Sequence, residues 1–119
     1  MRYLAHTYRH TYCTLTIPPS YDNNDLKFHS PTGVFSPQAF YEYLQASFDT
    51  LLAEGEAGSP RMMTIGLHCR IIGKPARFQA LKGFVEYLAS RPEGEVWVTR
   101  RRDIATHWRE RFPYKAGRE

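Results

Sequence analysis

The chain has 119 residues, of which 42% are hydrophobic, 14% aromatic and 24% charged, with a formal net charge of +4. That length admits at most one domain, and the apolar share excludes an intrinsically disordered chain. No apolar run reaches the length of a membrane span, and the opening MRYLAHTYRHTYCT lacks the apolar core of a signal peptide, so a soluble, cytoplasmic protein is expected.

Residues 1–11 are rich in His, Tyr and Arg and show no clear period. His6 and His10 have a spacing that would put two imidazoles on one helical face, a weak metal signature on its own. Two cysteines, Cys13 and Cys69, show no metal-ligand spacing and fit a reducing compartment. Neither pattern marks a metal site. Residues 12–17 are β-prone and end at Pro18-Pro19. A polar turn at 20–25 follows, rich in Asp and Asn, and leads into a loop running to Phe35.

Ser36-Pro37 is a helix start, with Ser as the capping oxygen and Pro at the first helical position. The stripe Phe40, Tyr43, Leu44, Phe48, Leu51 and Leu52 then keeps helical spacing until Gly55. The apolar run 62–67 reads as a buried strand between turn signals, and it ends in His68, Cys69 and Arg70. A second helix is expected over about 76–90, with Phe78, Leu81, Phe84, Val85 and Leu88 on one face. Gly83 inside it costs about 1 kcal/mol against Ala unless close packing requires it. A short strand at 95–98 follows, and then a helix capped by Thr99 that carries Ile104, Ala105, Trp108 and Phe112 and stops at Pro113.

This order of strands and helices predicts an α/β architecture with parallel strands. About three strands and three helices can neither cover both faces of such a sheet nor close a barrel. The simplest expectation is the C-terminal part of a larger barrel; a compact minidomain or burial by oligomerisation are alternatives. Ligands in such folds sit at the carboxyl ends of strands, which places His68 where chemistry occurs. An imidazole there can act as general acid or base. The arginines near the C-terminus (Arg100, Arg101, Arg102, Arg109, Arg111) are interrupted by Asp103 and Glu110. They read as a solvated helix face, and no nucleic acid is expected as a partner.

Four stretches together resemble one family: PPSYDNNDLKF (18–28), FYEYLQASFDTLLAEG (40–55), MMTIGLHCRIIGKPARFQALKGFVEYL (62–88) and VWVTRRRDIATHW (96–108). It is the polysaccharide deacetylase (NodB-homology) superfamily, in its cofactor-independent allantoinase branch. The resemblance covers residues 15–112, leaving 1–14 unmatched and 113–119 as a tail. It implies a distorted (β/α) barrel that hydrolyses a C–N bond, in this branch the ring amide of allantoin in purine catabolism. His68 matches the family's late histidine, which serves as general acid toward the leaving nitrogen or steadies the tetrahedral intermediate. Arg70 would reach the same mouth of the barrel and hold ureido or carbonyl oxygens with its planar fork. Asn24 and Asp25 match a block after an inner strand and would face the substrate.

The family's early motifs, a paired-aspartate strand end, a His-x-x-x-His block and an Arg-x-Pro-Tyr-type segment, are missing. His6 and His10 lie where the family does not place such a block. A small-molecule ureide is the expected substrate, and the chain alone is expected to be inactive. It would need the missing N-terminal portion or a second copy to bury its sheet. The alternatives are a fragment of a metal-dependent polysaccharide (chitin) deacetylase and a non-catalytic interaction module. Gly66, where general deacetylases favour a bulky apolar residue, favours the allantoinase branch.

Overall fold

The computed structural model describes residues 5–9, 12–33 and 36–114. The chain through Pro18 and from Val96 onward forms one compact unit; Pro19–Glu95 forms a second.

The first unit contains the strands. β1 (Ala5–Arg9) and β2 (Tyr12–Thr16) pair antiparallel, in the register Ala5 with Thr16 through Arg9 with Tyr12. The β-prone segment at 12–17 is thus a strand, but its partner is the adjacent residues, where the sequence shows no period, and not a parallel strand. His6 lies on β1; His10, and with it the His-x-x-x-His spacing, lies outside the described residues. The expected strand at 95–98 pairs with nothing among the described residues.

α4 (Arg101–Arg111) belongs to the same unit. Arg100, not Thr99, is its N-cap; the Thr99 hydroxyl donates to Asp103 at 3.3 Å. Arg100 grips Asp103 with two bonds of 2.8 and 3.1 Å, and this ion pair holds the Asp103 carboxyl below its ordinary range. Arg101 donates to the carbonyls of Ile17 and Pro18 at 3.0 and 2.6 Å. Two of the C-terminal arginines are thereby tied to this unit's own groups.

The second unit is helical. In α1 (Pro37–Glu56) Ser36 caps as its chemistry dictates, its Oγ accepting from the Ala39 N–H at 3.0 Å. Phe40, Leu44 and Phe48 recur every fourth residue and are the helix's buried face. α3 (Pro75–Ala89) opposes that face with Ala80 and Phe84. The Phe48 ring meets Phe84 edge-on at 6.2 Å and Tyr87 at 5.9 Å. A Cβ on Gly83 would lie 3.4 Å from the Tyr41 ring. That is ordinary van der Waals contact, so packing against α1 does not by itself demand a glycine inside α3. The expected stripe on α3 is only partly internal: Phe78 and Val85 are exposed, because the face turned to α1 is centred on Ala80 and Phe84.

The apolar run 62–67 is extended but is not a strand. Its sole ladder among the described residues is a parallel bridge between Asn24 and Gly66. Backbone bonds on either side fix it: the Gly66 N–H donates to Asn23 O at 2.8 Å, and the Asp25 N–H donates to Gly66 O at 3.0 Å. A strand needs a neighbour to become a ladder, and here one residue pair supplies it. Two short helices that the sequence reading leaves as loop or strand end flank this bridge. One is the 3-10 helix Asp25–His29; the other is α2 (Cys69–Ile72), anchored by buried Ile71 and Ile72. Among the described residues no helix is long and apolar enough to cross a membrane.

The helical unit depends on the α1–α3 aromatic contact. Phe84→Ala is expected to destabilise it by about 3–5 kcal/mol, the usual cost of emptying a phenylalanine site. Urea unfolding followed by helix circular dichroism measures this; a loss under about 1 kcal/mol would show that the site collapses freely or carries little.

Candidate active site

The parallel bridge at Asn24–Gly66 brings the start of the 3-10 helix against the end of the 62–67 run. Asn24 caps the 3-10 helix, its Oδ1 accepting from the Leu26 N–H at 3.0 Å. A Cβ on Gly66 would sit 2.2 Å from Asn24 Nδ2, so the carboxamide occupies the space a side chain at 66 would take. This approach delivers Asp25 beneath His68.

Asp25 is wholly buried, at 0% exposure, and His68 keeps 48% of its side chain accessible. The carboxylate accepts three hydrogen bonds. Oδ2 takes the backbone N–H of His68 at 2.7 Å and of Ile72 at 3.2 Å; Oδ1 meets His68 Nδ1 at 2.6 Å. His68 is the N-cap of α2 but makes no capping bond with its own side chain. Asp25 fills that role from 43 residues away, accepting from the His68 amide and sharing that of Ile72, which also donates to the His68 carbonyl at 3.0 Å. A buried charge without partners costs several kcal/mol, and here the partners are complete.

The same carboxylate assigns the imidazole tautomer. A carboxylate accepts, so the proton lies on Nδ1 and Nε2 is the nitrogen left to exchange protons with a reacting group. The pair has the base-and-orienter arrangement of acid–base sites, with Asp25 holding the ring and stabilising it when doubly protonated.

The other expected site residues are placed differently. Arg70 lies on α2, exposed, with no hydrogen bond or ion pair among the described residues; nothing joins it to the pair. Asn24 lies one residue before Asp25, with Nδ2 engaged only by a 3.5 Å contact to the Ser20 carbonyl. Asp25, expected to face the substrate, has no open surface and stands behind His68 instead. Cys69 is a free, exposed thiol. Asn23 is buried at 7% exposure, and its Oδ1 has no partner among the described residues. No three His, Cys, Asp or Glu side chains among the described residues come together as metal donors.

Behind the pair, the turn is held to α1. The Tyr43 hydroxyl donates to Asp22 Oδ1, Lys27 pairs with the same oxygen at 3.5 Å, and its ammonium lies 4.4 Å from the Tyr43 ring centroid. The bond to the Asp22 carboxylate, followed by desolvation, raises the Tyr43 pKa. Sequence reading placed Tyr43 in the helix stripe; a tyrosine in place of Phe or Leu on that stripe was the available sign of a polar partner.

Two outcomes follow from this geometry. Asp25→Asn keeps the size but presents an N–H₂, so the His68 proton moves to Nε2 and the unit loses about 1.5–3 kcal/mol, the range for a hydrogen bond to a charged group. Imidazole nitrogen shifts report the tautomer, and an unchanged Nδ1–H in this variant would refute the assignment. Tyr43 has a raised folded-state pKa, so its contribution is complete below the ordinary tyrosine value of about 10 and is lost as pH rises through the raised one. Tyr43→Phe should therefore make the alkaline fall in stability shallower. Tyr87, raised in the same direction by Asp49, leaves the remainder. An identical alkaline slope in both proteins would show that the Tyr43–Asp22 bond is not populated.

Comparison with known proteins bears on the same segment. No protein-family model matches the chain. A protein of Schizosaccharomyces pombe (strain 972 / ATCC 24843) described as a "Putative polysaccharide deacetylase" is 44% identical over 102 residues, covering 86% of this chain and 31% of that protein. The crystal structure of a Puue allantoinase superposes with a TM-score of 0.86 at 45% identity, covering 95% of this chain and 36% of that one. A structure described as a "probable Polysaccharide deacetylase from Pseudomonas aeruginosa PAO1" gives 0.85 at 41% identity, covering 95% and 37%. The chain thus spans about a third of the length of the proteins it matches. Over this partial segment the chain is similar to polysaccharide deacetylase-like (NodB-homology) proteins, an allantoinase among them.

Proposed function

We propose that this chain carries the proton-donating part of a hydrolase site acting on a non-peptide C–N bond, with a cyclic ureide of the allantoin type as substrate. The observation that supports this most is the pairing of a half-open imidazole with a wholly buried carboxylate. Hydrolysis of a ring amide adds water to the carbonyl carbon and then breaks the C–N bond. The departing nitrogen is a poor leaving group unless it takes a proton. His68, protonated on Nε2 and tethered through Nδ1–H to Asp25, delivers that proton and is left neutral with its Nδ1 proton in place. Asp25 positions the ring and stays ionised.

Arg70 and Asn24 bind the substrate in this reading. The guanidinium of Arg70 has every donor uncommitted among the described residues, and its planar fork suits two oxygens of a ureide. Asn24 Nδ2 has donor capacity beyond its long contact to Ser20. The groups that activate water lie in the remainder of the barrel, of which this chain is the C-terminal part, supplied by preceding sequence or by a second copy. That remainder also covers exposed apolar groups beside the site, among them Leu67 and Met62. We read the protein as cytoplasmic and active in ureide catabolism without a cofactor.

The second reading is a metal-dependent deacetylase of N-acetylated sugar polymers, which the descriptions of two of the matched proteins favour. The described residues assemble no metal donors, so in that reading all of them come from the rest of the fold.

Alone, the chain is expected to open no allantoin ring. A chimera in which its residues 15–112 replace the matching segment of the allantoinase should do so, and His68→Gln in that chimera should lower kcat by about 10²–10⁴, the usual contribution of a positioned general acid. A chimera built on the deacetylase that releases acetate from chitin oligomers, beside an inert allantoinase chimera, would shift the assignment to the second reading.

A further inference from the structure

Arg77 touches both of the short helices that carry the Asp25–His68 pair. It stands in the first turn of α3, half-buried. Its guanidinium lies 4.8 Å from the centroid of the Phe28 ring, and Nη1 donates to His29 Nε2 at 3.3 Å and to the Ile71 carbonyl at 3.5 Å. Phe28 and His29 close the 3-10 helix that opens with Asp25; Ile71 lies in α2, the turn that His68 caps. Asp25 joins these two elements at one end, through the His68 and Ile72 amides. Arg77 joins them at the other.

Neither element can hold its place by itself. The 3-10 helix has five residues and α2 has four, too short to be stable without tertiary contacts. Their relative placement rests on the α2 anchors Ile71 and Ile72, on the Phe28 ring against Phe40 at 5.1 Å, and on the two polar staples. A guanidinium suits the second staple because one planar group can cover a ring face and still donate in its own plane. A lysine could keep the charge and the ring contact but not that fork.

We infer that Arg77 is a positioning residue for His68, fixing the distance between the 3-10 helix and α2 and so keeping Nδ1–H on Asp25. The inference gains its functional meaning from the reading of His68 as general acid, but its test is independent of activity. Arg77→Met, Arg77→Lys and His29→Ala would be compared with the unaltered 119-residue chain by imidazole nitrogen shifts and amide hydrogen exchange. In Arg77→Met the His68 ring should become a mixture of Nδ1–H and Nε2–H tautomers. Protection of the His68 and Ile72 amides should fall about tenfold, roughly one hydrogen bond, while that of Phe48 and Phe84 stays within about twofold. Arg77→Lys should recover part of both signals, and His29→Ala should weaken them in the same direction by a smaller factor.

A pure Nδ1–H tautomer in Arg77→Met, or protection lost uniformly across the unit, would overturn the inference. Should Arg77→Met fail to fold, the milder variants decide: unchanged His68 tautomer and protection in both would refute it. These outcomes stand apart from the chemistry. An inert His68 in the chimera would sink the general-acid reading and leave the tautomer measurement valid, whereas an unmoved tautomer would sink the role of Arg77 alone.

Discussion

A carboxylate with no accessible surface must find every partner inside the protein, and the surroundings of Asp25 are arranged around that demand. Its two oxygens take one imidazole and two backbone amides, all from residues 68–72. Removing any of them leaves a buried charge short of a donor, and removing the charge takes the acceptor from the His68 amide, while Ile72 keeps the His68 carbonyl at 3.0 Å. The 3-10 helix, the bridge at Gly66 and α2 are therefore interdependent. Each is too slight to persist alone, and the charge makes their joint arrangement the one that satisfies all of its polar groups. The orientation of His68 follows from the same requirement.

Behind this polar knot lies an ordinary hydrophobic base. Phe40 serves both parts: it is fully buried in the α1 face and also supports the Phe28 ring of the 3-10 helix. Tyr43, one turn along α1, ties down Asp22 at the start of the same turn. Helix α1 thus acts as a rigid floor for residues 22–29, and α3 contributes the Arg77 staple. Sites whose side chains are fixed by packed elements hold their geometry better than sites left to loops. Here the loop-like character of 20–25 is offset by bonds to a 20-residue helix.

Helices were legible because their signals are local. The Ser36-Pro37 start, the Phe40–Leu44–Phe48 spacing and the boundaries of α3 are all read within a few residues. Strands were not legible to the same degree, since a strand is defined by its neighbour. The run 62–67 has the composition of a buried strand but finds one bridged residue, and residues 5–9 have no pattern yet pair along their length. His68, Asn24 and Asp25 were visible individually. Their relation was not, because no periodicity links positions 43 apart, and an Asp in an Asn-rich turn already has a sufficient local role. The cap at Arg100 is hidden from the sequence for a related reason: Thr99 has the right chemistry, but its hydroxyl is drawn to Asp103, four residues on.

The close approach of Asn24 to Gly66 has a consequence for how this segment can vary. The two positions share a single volume: Asn24 Nδ2 and Cγ lie 2.2 and 2.8 Å from where a Cβ at 66 would stand. Enlarging one residue therefore requires shrinking or turning away the other, at a cost of about 1–3 kcal/mol when the partner does not yield. But Asn24 also caps the 3-10 helix, so it cannot be shortened freely without loosening the turn that carries Asp25. Sizes at 24 and 66 are thus expected to move in opposition across related sequences, with a capping residue at 24 tied to a bare position at 66. Such a pair would act as a sterically linked switch in the lineage, changing the wall beside the histidine only by two substitutions made together.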